Sequence, residues 1–180
     1  MAKGKGKGSQ WERDVSRVLT QWMSGQQEDL WLWRSPGSGA MGTKTVSLSN
    51  KALSGDIIAL KPGALPLIET FSLELKNGYE SACPFQTITK VKGNILLDFW
   101  TQCCRDAFNS DKLPMLIFKK KNVRGNPFLG LSKEGIDKYF SKVFETIPYI
   151  TLEFKTDLPV LYMMELNVVL DNTKYWGKLA

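Results

Sequence analysis

Two carboxylates and a lysine stand near one another in the middle of the 180-residue chain. Asp56 opens one apolar run, and Glu74 and Lys76 lie two residues apart in the next. Acidic oxygens suit a hard divalent cation, and a nearby lysine can position water or offset charge that develops on a phosphate. These residue types predict metal-dependent phosphodiester hydrolysis. An ordinary strand with a solvated face is the alternative for Glu74 and Lys76.

The elements that position these residues are predicted as two strands. With a period of two, alternate side chains of residues 71–76 point to opposite faces, so Glu74 and Lys76 share one face and apolar side chains occupy the other. Residues 61–63 (Lys-Pro-Gly) have turn chemistry. They predict a hairpin that brings Asp56 beside Glu74.

The composition is that of a globular chain with a basic surplus. The length allows one domain with a sizeable core, and no apolar run approaches the ~20 residues of a membrane span. Twenty-four Lys and Arg against 18 Asp and Glu give a net charge of +6, which favours a polyanionic partner or merely maintains solubility. We assign residues 1–8 to a flexible basic arm and residues 9–180 to a single domain, with core motifs in 9–120 and an extension in 121–180.

Histidine is absent from the sequence, and this excludes several mechanisms. Ser-His-Asp triads, Cys-His dyads and histidine-based nucleases all need an imidazole. The 3 cysteines (Cys83, Cys103 and Cys104) lack C-x-x-C spacing and do not predict a zinc site. Hydrolysis must therefore use carboxylates, lysine and metal. The cysteine usage and the lack of a signal peptide predict a cytoplasmic protein.

Apolar periodicity predicts a first helix that begins at Ser9 and ends at Gly25. Ser9 and Glu12 also fit a capping box, in which the Glu12 carboxylate accepts a hydrogen bond from the Ser9 backbone N–H. Residues 30–34 predict a short strand. The apolar face of the helix consists of Trp11, Val15, Val18, Leu19 and Trp22.

Helices and strands alternate along the rest of the chain. Residues 34–39 are rich in small residues, which indicates a functional loop or a plain linker. A helix follows Asn94 and is apolar over much of its surface, as in a buried helix or a dimer face. Ser132 caps another helix. Strands are predicted at residues 113–119, 127–131, 149–154 and 159–170. We predict an α/β fold with a mixed central β-sheet flanked by helices.

Four ordered motifs resemble a nuclease family. They are Gly8-Ser9-x-x-Glu12-Arg13, Arg34-Ser35-Pro36-Gly37-Ser38-Gly39, Asp56-Ile57-Ile58-Ala59-Leu60-Lys61 and Glu74-Leu75-Lys76. The Asp and Glu-x-Lys pattern resembles the PD-(D/E)XK nuclease superfamily. The whole set, over residues 8–120, resembles archaeal Holliday-junction resolvases of the Hjc type. This resemblance implies a restriction-endonuclease-like fold and a DNA substrate.

The resemblance also implies which residues act. Glu12, Asp56 and Glu74 correspond to metal ligands, and the catalytic set is Glu12, Ser38, Asp56, Glu74 and Lys76. So sparse a ligand set suits Mg²⁺, with Mn²⁺ as a substitute. Glu12 can cap the helix without metal and turn to the metal when it binds. The chain departs from the family at Gly55, where proline is usual, in a longer loop before Asp56, and in an extended hairpin at residues 62–70.

Basic side chains outside the catalytic set are predicted DNA contacts, with a solvated surface as the alternative for the lysines and support of the 34–39 loop as the alternative for Arg34. The contacts are Arg13, Arg34, Lys44, Lys51, Lys119, Lys120 and Lys121. The resemblance implies a homodimer that makes paired symmetric nicks in a four-way junction. A nuclease for flaps, other branched DNA or single strands is one alternative, and a catalytically silent DNA-binding protein is another. No membrane partner and no nucleotide cofactor are expected.

Overall fold

The computed structural model describes residues 5–26, 29–35, 55–79, 94–120, 125–154 and 156–177. Ser38, Lys44, Lys51, Cys83 and Lys121 lie outside the described residues. The helices are α1 (Lys5–Ser24), α2 (Leu65–Thr70), α3 (Ile95–Asn109), α4 (Lys133–Tyr139), α5 (Ser141–Phe144) and α6 (Leu166–Asn172). The strands are β1 (Leu32–Arg34), β2 (Ile57–Ala59), β3 (Phe71–Tyr79), β4 (Leu113–Lys120), β5 (Phe128–Leu131), β6 (Ile150–Leu152) and β7 (Leu161–Glu165).

A mixed, 5-stranded sheet with the order β3-β4-β5-β7-β6 forms the centre of the fold. β3 and β4 are parallel, and the other neighbours are antiparallel. β1 and β2 pair with each other as a separate antiparallel ribbon. The predicted α/β class with a mixed central sheet is confirmed, and the extension beyond residue 121 supplies three of the five strands.

Apolar side chains cover both faces of this sheet. On one face, Leu73 of β3 packs in a core with Leu19 of α1. On the other face, Trp100 of α3 packs with Phe118 of β4. Such burial on both faces is typical of a parallel strand pair covered by helices. One face of α3 is buried, as the first of its two predicted alternatives requires, while Phe108 near its end is 85% exposed.

The first helix begins earlier than predicted. α1 starts at Lys5 rather than Ser9, so it includes residues 5–8, which the sequence assigned to a flexible arm. Once a helix has nucleated, each further residue adds a hydrogen bond, and this allows α1 to extend through the Lys-Gly repeat. At Ser9 the regular helical pattern supplies a partner for the backbone N–H, so the predicted capping box is wrong. Val18, predicted on the apolar face, is 41% exposed.

The predicted hairpin between the Asp56 run and β3 is also wrong. β2 pairs with β1 instead, with Trp33 opposite Ile58. Residues 62–70 form a 3-10 turn (Pro62–Ala64) and α2, not an extended hairpin. Proline stands in the first turn of each of these helical segments, where its missing N–H costs nothing. A proline is therefore compatible with the start of a helical segment as well as with a turn.

Two C-terminal predictions need correction. The predicted strand at residues 159–170 ends at Glu165, and the remaining apolar run forms α6. The helix predicted after Ser132 divides into α4 and α5 at Phe140, although Ser132 does cap it by accepting from the Gly135 N–H. Short apolar runs do not distinguish a strand from a buried helix by periodicity alone. Within the described ranges, no helix is long and apolar enough to cross a membrane.

Candidate active site

Asp56 lies against the edge of β3 that does not face β4. Its backbone N–H donates to the Leu73 carbonyl at 2.8 Å, and its Oδ2 accepts from the Leu75 N–H at 2.8 Å. The Asp56 carbonyl in turn accepts from the Ser35 N–H at 2.8 Å. These bonds hold the Asp56 carboxylate alongside Glu74, so the two acids meet without the predicted hairpin.

Gly55 makes this close approach possible. Its φ is +94°, and a Cβ at this position would lie 2.8 Å from the Leu73 carbonyl oxygen and 2.9 Å from the Leu73 nitrogen. L-residues with side chains rarely adopt this conformation, and proline has its φ fixed near −65°. The usual proline of the resembled family therefore cannot occupy position 55 with this backbone.

Glu74 and Lys76 project from β3 on the face covered by α3. The Lys76 Nζ lies 2.5 Å from Glu74 Oε1 and donates to Gln102 Oε1 of α3 at 3.0 Å. The same ammonium group is 5.5 Å from the centre of the Phe99 ring. Glu74 is only 5% exposed, so the predicted two-faced strand is confirmed but the polar face is not a solvated one.

Gln102 is a site residue that sequence reasoning missed. It lies three residues after Phe99 and directly before Cys103, both buried on α3. A polar residue between apolar positions on the buried face of a helix is the signal that could have identified it, because such a group needs a hydrogen-bonding partner. Its contact with Lys76 joins α3 to the face of β3 that carries Glu74 and Lys76.

Glu12 and Arg34 form an ion pair between α1 and β1. Arg34 Nε lies 3.0 Å from Glu12 Oε2, and the two side chains are 17% and 13% exposed. Arg34 thus neutralises a carboxylate that the sequence assigned to the metal. Among the residues described, no three acidic or cysteine side chains are grouped closely enough to hold a metal ion.

A cavity of about 270 Å³ joins these side chains. Its lining comes from α1, from Asp56 directly before β2, from β3 and from α3. The lining residues are Trp11, Glu12, Asp56, Glu74, Leu75, Lys76, Asn77, Tyr79 and Gln102. Four of the five predicted catalytic residues therefore share one cavity, and the fifth, Ser38, lies outside the part of the chain that the structure describes.

Burial raises the pKa values of both central carboxyl groups. The pKa of Glu74 rises to about 7, because burial and the charge of Asp56 disfavour ionisation more than Lys76 favours it. The pKa of Asp56 is also raised by burial, although the hydrogen bond from Leu75 opposes the shift. A divalent cation would offset the burial of these charges, and carboxylate oxygens are the donors that Mg²⁺ and Mn²⁺ prefer. Asp56 and Glu74 therefore fit such an ion.

The predicted DNA contacts are only partly described. Lys119 and Lys120 end β4, beside Asn77 and Tyr79 in the β3 register, so they lie at the same end of the sheet as Lys76. Arg13, next to Glu12 on α1, donates to the Gln10 side chain at 2.9 Å. Arg34 is held by Glu12, as described above. Lys44, Lys51 and Lys121 are outside the described ranges.

Comparison with protein families matches residues 3–176 to the family described as "Phage putative PDDEXK endonuclease". The match confirms the PD-(D/E)XK superfamily and the nuclease class, while the closer resemblance to Hjc-type resolvases stays a prediction. Searches of curated proteins and of solved structures found no significant match. Because the matched segment spans almost the whole chain, the protein belongs to the phage PDDEXK endonuclease family.

Proposed function

We propose that the protein is a divalent-metal-dependent DNA endonuclease that cuts branched DNA, with the four-way junction as its substrate. The observation that carries the proposal is the arrangement of Asp56, Glu74 and Lys76 in one cavity. Membership of an endonuclease family supports the reaction class. The junction preference rests on the ordered motifs of the sequence.

Asp56 and Glu74 are the proposed ligands of Mg²⁺, and Mn²⁺ is the proposed substitute. When bound, the ion would supply Lewis-acid activation of water and charge neutralisation at the phosphate. Two carboxylates leave room for water and phosphate oxygens, which Mg²⁺ usually retains in its coordination sphere. Glu12 is the proposed third ligand, and it must first leave Arg34, to which it is paired.

Lys76 is the proposed electrostatic catalyst. Its ammonium group lies at the Glu74 carboxylate, where it can orient the attacking water or stabilise the negative charge of the transition state. Gln102 accepts a hydrogen bond from the same group and so limits the positions that the flexible lysine can adopt. Arg34, once Glu12 is engaged elsewhere, is proposed to contact a DNA phosphate.

The remaining functional assignments follow from the sequence motifs. Ser38 is proposed to act beside the metal, and the basic residues named above are proposed to bind the DNA backbone. We expect a homodimer, because two symmetric sites match the two equivalent strands of a junction. The reaction is expected inside the cell, where the DNA substrate is located.

The proposed substrate is tested by cleavage of end-labelled four-way junction, flap, single strand and duplex with purified protein in Mg²⁺. Paired symmetric nicks confined to the junction are the expected result, together with a dimer mass by analytical ultracentrifugation. Cutting of flaps or single strands in preference to junctions would contradict the resolvase assignment but keep the nuclease. This second candidate is favoured by one feature, the exposed Tyr79 in the cavity.

A further inference from the structure

Tyr79 is a large aromatic side chain that stays exposed inside the catalytic cavity. It is 42% exposed and lines the same cavity as Asp56 and Glu74. Its ring packs against Phe99, with the ring centres 4.8 Å apart and the planes at 70°. Phe99 therefore fixes the position of a ring that still has surface available to a ligand.

A β-bulge directs Tyr79 toward the cavity. The register of β3 against β4 shifts between Asn77 and Tyr79, and Gly78 in the shift has a φ of +90°. A glycine with positive φ and one extra residue are the usual components of a bulge, which re-aims the side chains that follow it. If residues 75–79 alternated without a bulge, Tyr79 would point to the same face as Leu75, opposite the face that carries Lys76.

The register shows where the bulge places the ring. Lys76 lies opposite Phe118, and Tyr79 lies opposite Lys120. Since Phe118 and Lys120 are two residues apart on β4, they share a face of the sheet. Tyr79 therefore shares the face of Lys76, which agrees with its contact with Phe99 of α3.

Lys120 brings a basic residue to the position on β4 opposite Tyr79. It ends β4 as the register neighbour of Tyr79 and is only partly buried. An aromatic ring beside a basic side chain is the combination that binds single-stranded nucleic acid, because the base stacks on the ring while the cation meets the backbone. Bases within a duplex are already stacked on one another and cannot offer a face in this way.

We propose that Tyr79, supported by Phe99 and accompanied by Lys120, forms a subsite for an unpaired nucleotide next to the scissile phosphate. The inference rests on the proposed function for the position of that phosphate. The subsite specifies a class of substrate, namely DNA with an unpaired strand at the cut. Such DNA is a flap, a single strand, or a branch point whose bases are splayed apart.

The test separates binding from cleavage by using Glu74→Gln protein in Mg²⁺ as the parent. We measure the affinity of this parent for a fluorescent single-stranded oligonucleotide and for the duplex of the same sequence. The same two affinities are measured for proteins that carry Tyr79→Leu or Tyr79→Phe in addition to Glu74→Gln. Tyr149→Leu is the matched control, because Tyr149 is similarly exposed (47%) and also packs on a phenylalanine, Phe144. Thermal denaturation verifies that each variant is folded.

The expected result is that Tyr79→Leu weakens single-strand binding by about tenfold or more, as for the loss of one base–aromatic stack. Duplex binding should change by less than about twofold, since the duplex offers no unpaired base. Tyr79→Phe and Tyr149→Leu should leave both affinities unchanged. Equal losses for single strand and duplex, or no loss for either, would overturn the inference. So would an equal loss in Tyr79→Phe, because that variant keeps the ring.

The same proteins with Glu74 restored distinguish this inference from the proposed function. A protein that binds single strands through Tyr79 but cuts no DNA in Mg²⁺ retains the subsite and contradicts the nuclease proposal. A protein that cuts junctions, flaps or single strands, and whose Tyr79→Leu variant cuts the same substrate as fast as the wild type at subsaturating DNA, retains the nuclease proposal and contradicts the subsite.

Discussion

The backbone N–H of Leu75 donates a hydrogen bond to the Asp56 carboxylate over 2.8 Å. This bond fixes a side chain that precedes β2 onto β3, one residue from Glu74. Asp56 thus has a structural role and a proposed chemical role, and the two can be separated. An amide oxygen can accept the same hydrogen bond, whereas an alanine cannot.

Replacement of Asp56 should therefore give two different outcomes. Asp56→Asn keeps an acceptor for Leu75 and removes a buried charge, so it should be at least as stable as the wild type and lose about 100-fold or more in cleavage rate. Asp56→Ala should lose the same activity and about 1 kcal/mol of stability relative to Asp56→Asn. Urea denaturation and single-turnover cleavage measure the two effects. Wild-type cleavage by folded Asp56→Asn would contradict the assignment.

Glu74 should make the stability of the metal-free protein depend on pH. Its pKa rises from 4.5 to about 7 on folding, so between these values the folded state holds a proton that the unfolded state has released. Stability should fall as pH rises through this window, and the loss should be complete above pH ~7. At high pH the buried, ionised Glu74 carboxylate therefore lowers the stability of the folded protein.

Glu74→Gln should remove this cost. In EDTA at pH ~8 the variant should be more stable than the wild type by roughly 1–3 kcal/mol, and the difference should shrink toward zero near pH ~4.5. Urea denaturation at the two pH values measures it, with the exposed Glu145, changed to Gln, as the control. A pH-independent difference would show that Glu74 is not the titrating group.

The Glu12–Arg34 ion pair leads to a prediction about metal dependence. If Glu12 turns from Arg34 to the metal, Glu12→Gln should raise the Mg²⁺ concentration for half-maximal cleavage by about tenfold. Arg34→Gln should leave that concentration unchanged or lower it, because Arg34 competes with the metal for the Glu12 carboxylate. Equal losses of activity in both variants without any shift in Mg²⁺ dependence would mean that Glu12 only holds Arg34.

Gln102 should act as a positioning residue. Gln102→Leu removes the acceptor 3.0 Å from the Lys76 Nζ, which frees the lysine to move away from the productive position. We expect a single-turnover rate about tenfold lower, with DNA affinity changed by less than about twofold. Thr101→Val, one residue earlier on an exposed part of α3, should change neither. A loss of DNA affinity without a loss of rate would instead make Gln102 a binding residue.

The shared face of Glu74 and Lys76 could be predicted from sequence because it depends on local rules. Alternation along β3 places Glu74 and Lys76 on one face whatever the rest of the chain does. Local patterns alone predict the position of Asp56 relative to them only through a hairpin that does not form, while the family resemblance implies it without giving the geometry. The structure instead uses a glycine with positive φ at position 55 and hydrogen bonds to β3, and no local pattern encodes this long-range contact.

The missed features share the same cause. The Glu12–Arg34 pair, the Lys76–Gln102 contact and the placement of Tyr79 each depend on how distant segments are brought together. A bulge of one residue reverses the face of Tyr79, and Gly78 alone does not identify it in the sequence. Proline is equally suited to turns and to helix starts, so Pro62 alone does not distinguish the predicted turn from the helical segment that forms.

The most direct test of the central claim is the cleavage rate of Glu74→Gln protein on end-labelled DNA in Mg²⁺, beside the wild type. The variant is expected to be folded and, without metal, more stable than the wild type at pH ~8, so unfolding cannot account for lost activity. We predict cleavage by the wild type that EDTA abolishes, and a rate at least about 100-fold lower for Glu74→Gln. Equal rates for the two proteins would contradict the metal centre at Asp56 and Glu74.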